Sequence, residues 1–516
     1  MSNFFKDSLK KMSDLNLVDF SKFSQRGIEK ESLRVNNSTI STSDHPKILG
    51  AALTNPYITT DFSEALLELI TAKASSVEKA LSDLKIILAY THQNIDDIVW
   101  PGSIPCAIKE ESDIRIAHYG NSNSGRIKEL YRIGLSYRYG SMMQCVSGIH
   151  YNFSLSENFF RKWQGSPSEF QTFQDKKYLN LIRNFRKNAW LLLYLFGASP
   201  VVPKTFLTNR NNFLKPLNDE DLYLENATCL RMSELGYMSK AQDDLNIAYN
   251  DLDEYISDLK HALTKKHEPY EKIGLKKGDK HIQINDSIIQ IENEYYSSIR
   301  PKRVIQSGQR PINVLKNKGI EYIEVRCLDN NPFLRGSIDK HTAYFIEAYL
   351  MVSLIDENYP FDENRIKEIQ DNWQNTVRKG RDPNLLLKRD GKTISVKDAA
   401  EEVFSKIYDY AYALPIEADD LKKKILRSLD IQKAKLRDSD LTPSGMIVKE
   451  MEEKNISWNE FCNDRAEINN KYYEVLKKDT TNIKISAEAS LQEFQDLESS
   501  KEVDFDTFLK DYLNAI

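Results

Sequence analysis

The chain has 516 residues, of which 41% are hydrophobic and 28% are charged. This composition supplies enough apolar side chains for a large core and excludes a wholly disordered chain. The 71 basic and 76 acidic residues give a net charge of −5, so the chain lacks the basic excess typical of a dedicated nucleic-acid-binding protein. The longest aromatic and aliphatic run, residues 190–196, is too short to span a bilayer.

The chain is expected to be cytoplasmic. Its five cysteines, Cys106 among them, are scattered without CxxC spacing, which argues against a disulfide scaffold and a zinc site and suits a reducing compartment. The first 16 residues lack the apolar core of a signal peptide and predict an amphipathic helix. Cys106 is expected to be a packed thiol without a catalytic role.

The hydrophobic periodicity divides the chain into two parts. Residues 1–335 mix short β-rich runs with helices and predict an α+β catalytic core preceded by the N-terminal helix. Residues 336–516 show almost wholly helical periodicity and are expected to pack on the core without forming an independent domain.

The first strand candidate, residues 27–36, places Glu29 and Glu31 on one face, about 6.6–7 Å apart. At an effective dielectric constant near 20, the repulsion between these carboxylates is roughly 2.4 kcal/mol. A solvated edge strand tolerates this repulsion, and so does a concave site that holds cations. The pair alone is more typical of the edge strand.

The segment from Asp61 to Glu68 has two interpretations. Asp61, Glu64 and Glu68 have the i, i+3, i+7 spacing of one helix face. Alternatively, a loop precedes a strand that begins near Ala65, and Glu68 then projects from a sheet among leucines. A carboxylate in that position requires a partner.

Residues 143–155 predict a strand with Gln144, His150 and Asn152 on its polar face. A single histidine on such a face is usually structural. One imidazole is nevertheless acceptable in a carboxylate-rich Mg²⁺ or Mn²⁺ site.

Residues 319–328 predict another strand, with Glu324, Arg326 and Leu328 on one face. Glu324 and Arg326 form either an ordinary ion pair on a solvated sheet or a metal ligand beside a guanidinium that grips phosphate oxygens.

These segments together indicate phosphoryl transfer. The sequence has no GxxxxGK[ST], GxGxxG, HExxH or GxSxG motif, so a P-loop and a Rossmann turn are excluded. Five carboxylates, one histidine and one arginine on a common sheet face would instead hold several Mg²⁺ ions and a triphosphate. Positioning and charge neutralisation then provide most of the catalysis.

A family resemblance covers about residues 25–335. The chain resembles the bacterial single-chain glutamate–cysteine ligases, whose motifs occur here in the same order: RGIEKESLRV, ITTDFSEALLELIT, WPGSIPC, YGNSNSGRIKELYRIGLSYRYG, SGIHYNFSL, LFGASP, LRMSELGY, IQIENEYYSSIRPKR and GIEYIEVRCLDNNPF. The resemblance implies a mostly antiparallel, curved sheet of glutamine-synthetase type, flanked by helices. It also implies ATP-dependent joining of the glutamate γ-carboxylate to the cysteine amine through γ-glutamyl phosphate, the first step of glutathione synthesis.

The resemblance further implies roles for individual residues. The expected metal ligands are Glu29, Glu31, Asp61, Glu68, His150 and Glu324. By analogy with glutamine synthetase, Glu29, His150 and Glu324 would hold the metal nearer the phosphates, and the other three the metal nearer the amino acids. Arg326 would stabilise the transferring phosphoryl group, and Arg132 is a second catalytic candidate.

The substrate-binding candidates form two groups. The residues expected to bind the cysteine carboxylate are Arg231, Tyr237 and Tyr296. The residues expected to line the amino-acid pocket are Tyr131, Arg132, Leu135, Gln144 and Asn152. Tyr131 and Leu135 also have the i, i+4 spacing of ordinary helix packing.

Three other functions remain open at this point. A ligase that joins glutamate to another amine would share the metals and ATP, whereas a phosphagen-type kinase would release a stable phosphorylated product. A regulatory paralogue would have lost carboxylates, and none of the matched ones is missing. A monomer that binds only small molecules, with no nucleic-acid or membrane partner, is expected.

Overall fold

The computed structural model describes residues 3–166, 168–207, 212–236, 240–242, 245, 247–305 and 309–516. Its strands are β1 (Ser24–Asn36), β2 (Thr39–Ile40), β3 (Ile58–Thr60), β4 (Leu66–Ile70), β5 (Ile98–Val99), β6 (Gly148–Leu155), β7 (Val201–Pro203), β8 (Lys215–Pro216), β9 (Asp221–Tyr223), β10 (Lys276–Lys277), β11 (Lys280–His281), β12 (Ile299–Lys302), β13 (Tyr322–Asp329), β14 (Leu386–Arg389) and β15 (Lys392–Ser395).

The main sheet has eight strands, and every pairing in it is antiparallel. Six strands follow the order β12-β13-β6-β1-β4-β3, and β2 and β5 pair with the distal end of β1. The long strand β1 therefore lies between β6 and β4 and carries Glu29 and Glu31 at the centre of the sheet. The expected α+β class with an antiparallel sheet is confirmed.

The helices are α1 (Asn3–Asp14), α2 (Val77–Asn94), α3 (Asn123–Tyr139), α4 (Glu157–Gln164), α5 (Phe170–Lys187), α6 (Trp190–Phe196), α7 (Leu252–Thr264), α8 (Glu268–Ile273), α9 (Pro311–Lys318), α10 (Lys340–Ile355), α11 (Glu363–Lys379), α12 (Val396–Tyr412), α13 (Asp419–Arg437), α14 (Pro443–Lys454), α15 (Trp458–Glu474), α16 (Thr481–Ser499) and α17 (Phe505–Asn514). Within the described residues, no helix is both long enough and apolar enough to cross a membrane.

The apolar face of the sheet packs on α10, whose residues are almost all buried. Arg26 of β1 makes a bidentate ion pair with Glu347 of α10, at 2.7 and 3.1 Å. The Tyr151 hydroxyl of β6 donates to the same carboxylate at 2.7 Å. Because both charges are buried and their hydrogen bonds are satisfied, this network joins the back of the sheet to the C-terminal helices.

The C-terminal part is helical apart from the hairpin β14–β15. Most of its buried apolar side chains belong to the same hydrophobic cluster as those of residues 1–335, and Phe505 and Leu509 join Leu130 and Ile284 in a smaller one. Dependence of these helices on the core for folding remains a prediction.

The strand expected over residues 143–155 begins only at Gly148. Met142–Cys145 form a 3₁₀ turn, closed by the Gln144 N–H donating to the Ser141 carbonyl at 3.1 Å. The predicted placement of Gln144 on the polar face of this strand is therefore wrong. The Ser141 N–H bonds the Glu111 carboxylate, a tertiary contact that the local pattern does not reveal.

A histidine at the α2–α15 contact gives a pH prediction. The His92 ring stacks on Tyr473 at 4.6 Å, and its Nδ1 lies 2.6 Å from Asn470 Oδ1. Burial lowers the pKa of His92 to about 4, with a smaller effect of the Lys30 charge in the same direction and an opposing effect of Asn470. The unfolded chain binds more protons between pH 4 and 6.5, so the stability should fall as the pH drops through this range.

Between pH 6.5 and 4.5, the free energy of unfolding of His92→Phe should fall by about 1–2 kcal/mol less than that of the wild type. Urea unfolding at pH 6.5 and 4.5 measures it, with exposed His261→Gln as the control. Identical pH profiles for the wild type and His92→Phe would contradict the prediction.

Candidate active site

Strand pairing brings the predicted acidic residues onto one face of the sheet. Glu29 of β1 lies opposite His150 of β6, and Glu31 lies opposite Glu68 of β4. Glu324 of β13, the next strand beyond β6, joins the same face. The segment before β4 is thus a loop followed by a strand, and the helical interpretation of residues 61–68 is wrong.

His150 is the centre of this cluster. Its Nδ1 lies 3.1 Å from Glu29 Oε2 and 3.9 Å from Glu324 Oε1, and its Nε2 lies 3.6 Å from Glu31 Oε1. One ligand atom each of Glu29, Glu68 and His150 all lie within 4.8 Å of one another. A single cation is therefore within reach of all three side chains.

The carboxylates of the cluster have different electrostatic surroundings. Burial, together with Glu29, Asp61 and Glu31, raises the pKa of Glu68 well above its ordinary value. Burial acts on Glu324 in the same direction, but the Arg326, Lys302 and His150 charges hold its pKa well below the ordinary value. Excess negative charge is thus concentrated on the β1–β4 side, and the β13 side carries the cations.

Arg326 lies at a β-bulge. The register between β13 and β6 shifts between Val325 and Leu328, so two residues of β13 oppose one of β6. The extra residue turns Leu328 to the apolar face beside Ile149, which corrects the predicted alternation of this strand. Arg326 stays on the polar face, with its NH1 3.1 Å from Glu324 Oε1.

The cluster fits divalent cations by its own chemistry. Glu31 and Glu68 lie directly opposite each other on the adjacent strands β1 and β4. Their negative charges repel each other unless a positive charge lies between them. Glu324 Oε2 is buried without a hydrogen-bond partner, although Lys302 Nζ lies 3.5 Å away. A set of carboxylate oxygens with one imidazole suits Mg²⁺ or Mn²⁺.

Asp61 is held at the edge of the cluster through its backbone. The Arg132 Nε and the Tyr119 hydroxyl both donate to the Asp61 carbonyl, the latter at 3.1 Å. The Arg132 guanidinium also lies over the Tyr119 ring, 4.6 Å from its centre. In this structure Arg132 therefore contacts the loop that presents Asp61.

The remaining α3 candidates lie on the same helix as Arg132. Leu135 is buried in the main core, and Tyr131 is partly buried between that core and a smaller cluster. Asn152 of β6 donates through Nδ2 to Glu29 Oε1 at 2.8 Å, next to His150. Their predicted roles in substrate binding stay predictions.

Arg231 is fully buried beside the cluster. Its Nε donates to Asp329 Oδ1 at 2.7 Å, and its NH2 donates to the Leu328 carbonyl at 2.9 Å. A Cβ on Gly148 would lie 2.8 Å from the Arg231 guanidinium carbon, so only glycine allows this approach. The Gly148 N–H in turn donates to Glu31 Oε2 at 2.8 Å. Arg231 is thus connected to the cluster through Gly148.

Tyr296 lines a cavity of about 440 Å³ together with Tyr295, Ser297 and Trp373. The Tyr296 ring centre lies 6.1 Å from that of Tyr139 at the C-terminal end of α3. Tyr237, predicted to act with Tyr296, lies outside the described residues.

Three further residues support the cluster and were not predicted. Asp329 pairs with Arg231, Lys302 neutralises Glu324, and Tyr119 holds the backbone of Asp61. Asp329 and Lys302 lie within motifs that the sequence displays, but no local spacing distinguishes them from surface charges. Cys106, as expected, is packed, and burial raises the pKa of its thiol to about 12.

Comparisons with known proteins converge on one family. A family model described as glutamate-cysteine ligase matches residues 9–376. The glutamate–cysteine ligase of Janthinobacterium sp. (strain Marseille) is 40% identical over 99% of this chain and 98% of its own length. That of Pseudomonas paraeruginosa (strain DSM 24068 / PA7) is 42% identical over 95% and 94%, respectively.

Two solved structures resemble the fold. The glutamate–cysteine ligase of Francisella tularensis in complex with AMP superposes with a TM-score of 0.89 at 38% identity, covering 96% of this chain and 98% of that one. A bifunctional glutathione synthetase from Pasteurella multocida has a TM-score of 0.68 at 22% identity, covering 90% of this chain and 53% of that one. The second likeness concerns the fold alone.

Proposed function

The chain belongs to the glutamate–cysteine ligase family, and we propose that it joins the γ-carboxylate of L-glutamate to the amine of L-cysteine, with cleavage of ATP to ADP and phosphate. The product is γ-glutamylcysteine, the precursor of glutathione. The observation that carries the proposal is the convergence of Glu29, Glu31, Glu68, His150 and Glu324 on one sheet face beside Arg326.

The two proposed metal sites follow the analogy with glutamine synthetase that the family resemblance implies. Glu29, His150 and Glu324 would hold Mg²⁺, or Mn²⁺, near the ATP phosphates, and Glu31, Asp61 and Glu68 would hold a second ion near the amino acids. When bound, these ions neutralise phosphate charge and polarise the phosphoryl group. Glu324 is suited to the first site because its nearby cations keep it ionised.

The first chemical step brings two anions together. The glutamate γ-carboxylate attacks the γ-phosphorus of ATP, the bond to the ADP oxygen breaks, and γ-glutamyl phosphate forms. Arg326 would bind the equatorial oxygens of the transferring group with its planar guanidinium. The bulge in β13 and the Glu324 carboxylate orient this guanidinium before the substrate arrives.

In the second step the cysteine amine attacks the acyl carbon and expels inorganic phosphate. Tyr296, with Arg231 and Tyr237, is proposed to recognise the cysteine carboxylate. Tyr131, Arg132, Leu135, Gln144 and Asn152 are proposed to surround the amino acids. We further propose that the protein is a monomer located in the cytoplasm.

Isotope transfer tests this reaction. With both γ-carboxylate oxygens of glutamate labelled with ¹⁸O, the attacking oxygen should leave with phosphate, and the other should remain in the γ-amide. Mass spectrometry of the phosphate released with cysteine as acceptor should therefore find one labelled oxygen per γ-glutamylcysteine.

The controls distinguish the alternatives. A ligase for another amine would transfer the label with that amine and poorly with cysteine. A guanidino kinase would release no labelled phosphate and would accumulate a phosphorylated product. Unlabelled phosphate alongside γ-glutamylcysteine would contradict the acyl-phosphate route.

A further inference from the structure

Two carboxylates from the other end of the chain bind backbone N–H groups at and just before the start of α3. Ser122 is the N-cap residue of this helix, and its hydroxyl accepts from the Gly125 N–H at 3.3 Å. The first N–H groups of a helix have no partner within the helix. The Asn121 N–H donates to Glu498 Oε1 and Oε2 at 2.8 and 2.9 Å, and the Ser122 N–H donates to Glu498 Oε1 at 2.8 Å. The Asn123 N–H donates to Glu502 Oε2 at 2.6 Å. Two negative charges also suit the positive end of the helix dipole.

The backbone shape at this point permits the contact. Gly120 has φ +85°, and a Cβ there would lie 2.6 Å both from Glu498 Oε1 and from the Phe494 ring. Any other residue would therefore displace the Glu498 carboxylate and the Phe494 ring. The Asn123 side chain adds a bond to the Val503 carbonyl at 2.9 Å.

The last helix, α17, packs along the outer side of α3. Phe505 and Leu509 form a buried cluster with Leu130 of α3, against which Tyr131 packs. The Arg126 guanidinium lies 4.0 Å from the centre of the Phe505 ring. The α16–α17 segment thus contacts α3 at its N-terminus and along its length.

The opposite side of α3 faces the active site. Arg132 lies two residues, or about 200° around the helix, from Leu130 and bonds the carbonyl of Asp61. Tyr131 lies eight residues beyond Asn123, or about 12 Å along the helix axis. Because a helix moves as a rigid rod over this length, a displacement at its N-terminus would also move Tyr131 and Arg132.

We propose that Glu498 and Glu502 are positioning residues for the amino-acid side of the active site, which they hold in place by binding the N–H groups at and just before the start of α3. The inference rests on the proposed function, because it takes α3 to line the amino-acid pocket. It also gives the distal helices α16 and α17 a role in substrate affinity.

Kinetics of Glu498→Gln, Glu502→Gln and the double variant test the proposal. Each change keeps the side-chain size but removes the charge and one acceptor oxygen. The KM for glutamate or cysteine should rise about 3-fold to 10-fold, which corresponds to roughly 0.7–1.4 kcal/mol of lost affinity. The KM for ATP and kcat should stay within about twofold, and Glu498→Asp should recover part of the affinity. Glu493→Gln, an exposed position on the same α16, should match the wild type.

Hydrogen–deuterium exchange of residues 120–132 provides a second readout, which does not depend on catalysis. Exchange in this segment should be faster in both single variants than in Glu493→Gln. Faster exchange with every KM unchanged would overturn the proposal, because Glu498 and Glu502 would then stabilise α3 without affecting substrate affinity. A parallel loss of ATP affinity, kcat and melting temperature would also overturn it. If the wild type forms no γ-glutamylcysteine, the proposed function itself fails, whatever the exchange data show.

Discussion

Arg326→Lys is expected to lower kcat by about 100-fold to 1,000-fold, the usual loss when one transition-state donor is removed. Lysine keeps the positive charge beside Glu324 but lacks the planar fork that binds two phosphoryl oxygens together. Because the ion pair at 3.1 Å with Glu324 is made before substrate binds, the apparent affinity for ATP should change less than turnover. Steady-state kinetics with ATP varied separates the two effects.

Arg365→Lys is the matched control for this measurement. Arg365 makes an ion pair with Asp390 at 3.2 Å in the helical C-terminal part. The kcat of Arg365→Lys should therefore equal that of the wild type. Full kcat in Arg326→Lys would show that Arg326 is only a structural partner of Glu324.

Glu68→Gln and Glu324→Gln should both reduce activity sharply and raise the Mg²⁺ concentration required, but their metal-free stabilities should change in opposite directions. Glu68 lies opposite Glu31, and the carboxylates of Glu29, Asp61 and Glu31 disfavour its negative charge. Its replacement by glutamine should therefore stabilise the metal-free protein by about 1 kcal/mol. Glu324 is buried and neutralises the partly buried Arg326 and Lys302, so its replacement should cost about 1–3 kcal/mol.

Urea unfolding without Mg²⁺ and activity titrated with Mg²⁺ measure the two effects. Glu467→Gln, an exposed partner of Lys471 on α15, is the control and should leave both unchanged. Added Mg²⁺ should stabilise the wild type more than either variant, because the ion binds the folded cluster. Wild-type Mg²⁺ dependence in both variants would exclude these carboxylates as ligands.

The placement of the expected metal ligands Glu29 and Glu31 on one face of the sheet can be predicted from the sequence, because it depends on the two-residue periodicity of a strand. Alternation along β1 placed Glu29 and Glu31 on one face, and the structure has them there. The start of α2 is also a local feature of the sequence, since the Ser76 hydroxyl accepts from the Lys79 N–H at 3.2 Å. Gln144 shows the limit of prediction from periodicity, because it lies in a 3₁₀ turn and not in the expected strand. The residue before this turn, Ser141, bonds Glu111, a contact that local periodicity does not reveal.

Sequence alone determined the family through its ordered motifs, and the resemblance in turn implied the antiparallel sheet. It also determined the α+β class and the residues of the acidic faces, because these depend on residue types and on spacings of a few residues. Only the tertiary structure shows that Glu31 lies opposite Glu68, that a bulge precedes Leu328, and that Glu498 binds backbone N–H groups at the N-terminal end of α3. The physical reason is that these contacts join segments tens to hundreds of residues apart. Their register is selected by which pairing buries the apolar face of the whole sheet, a property that no single segment contains.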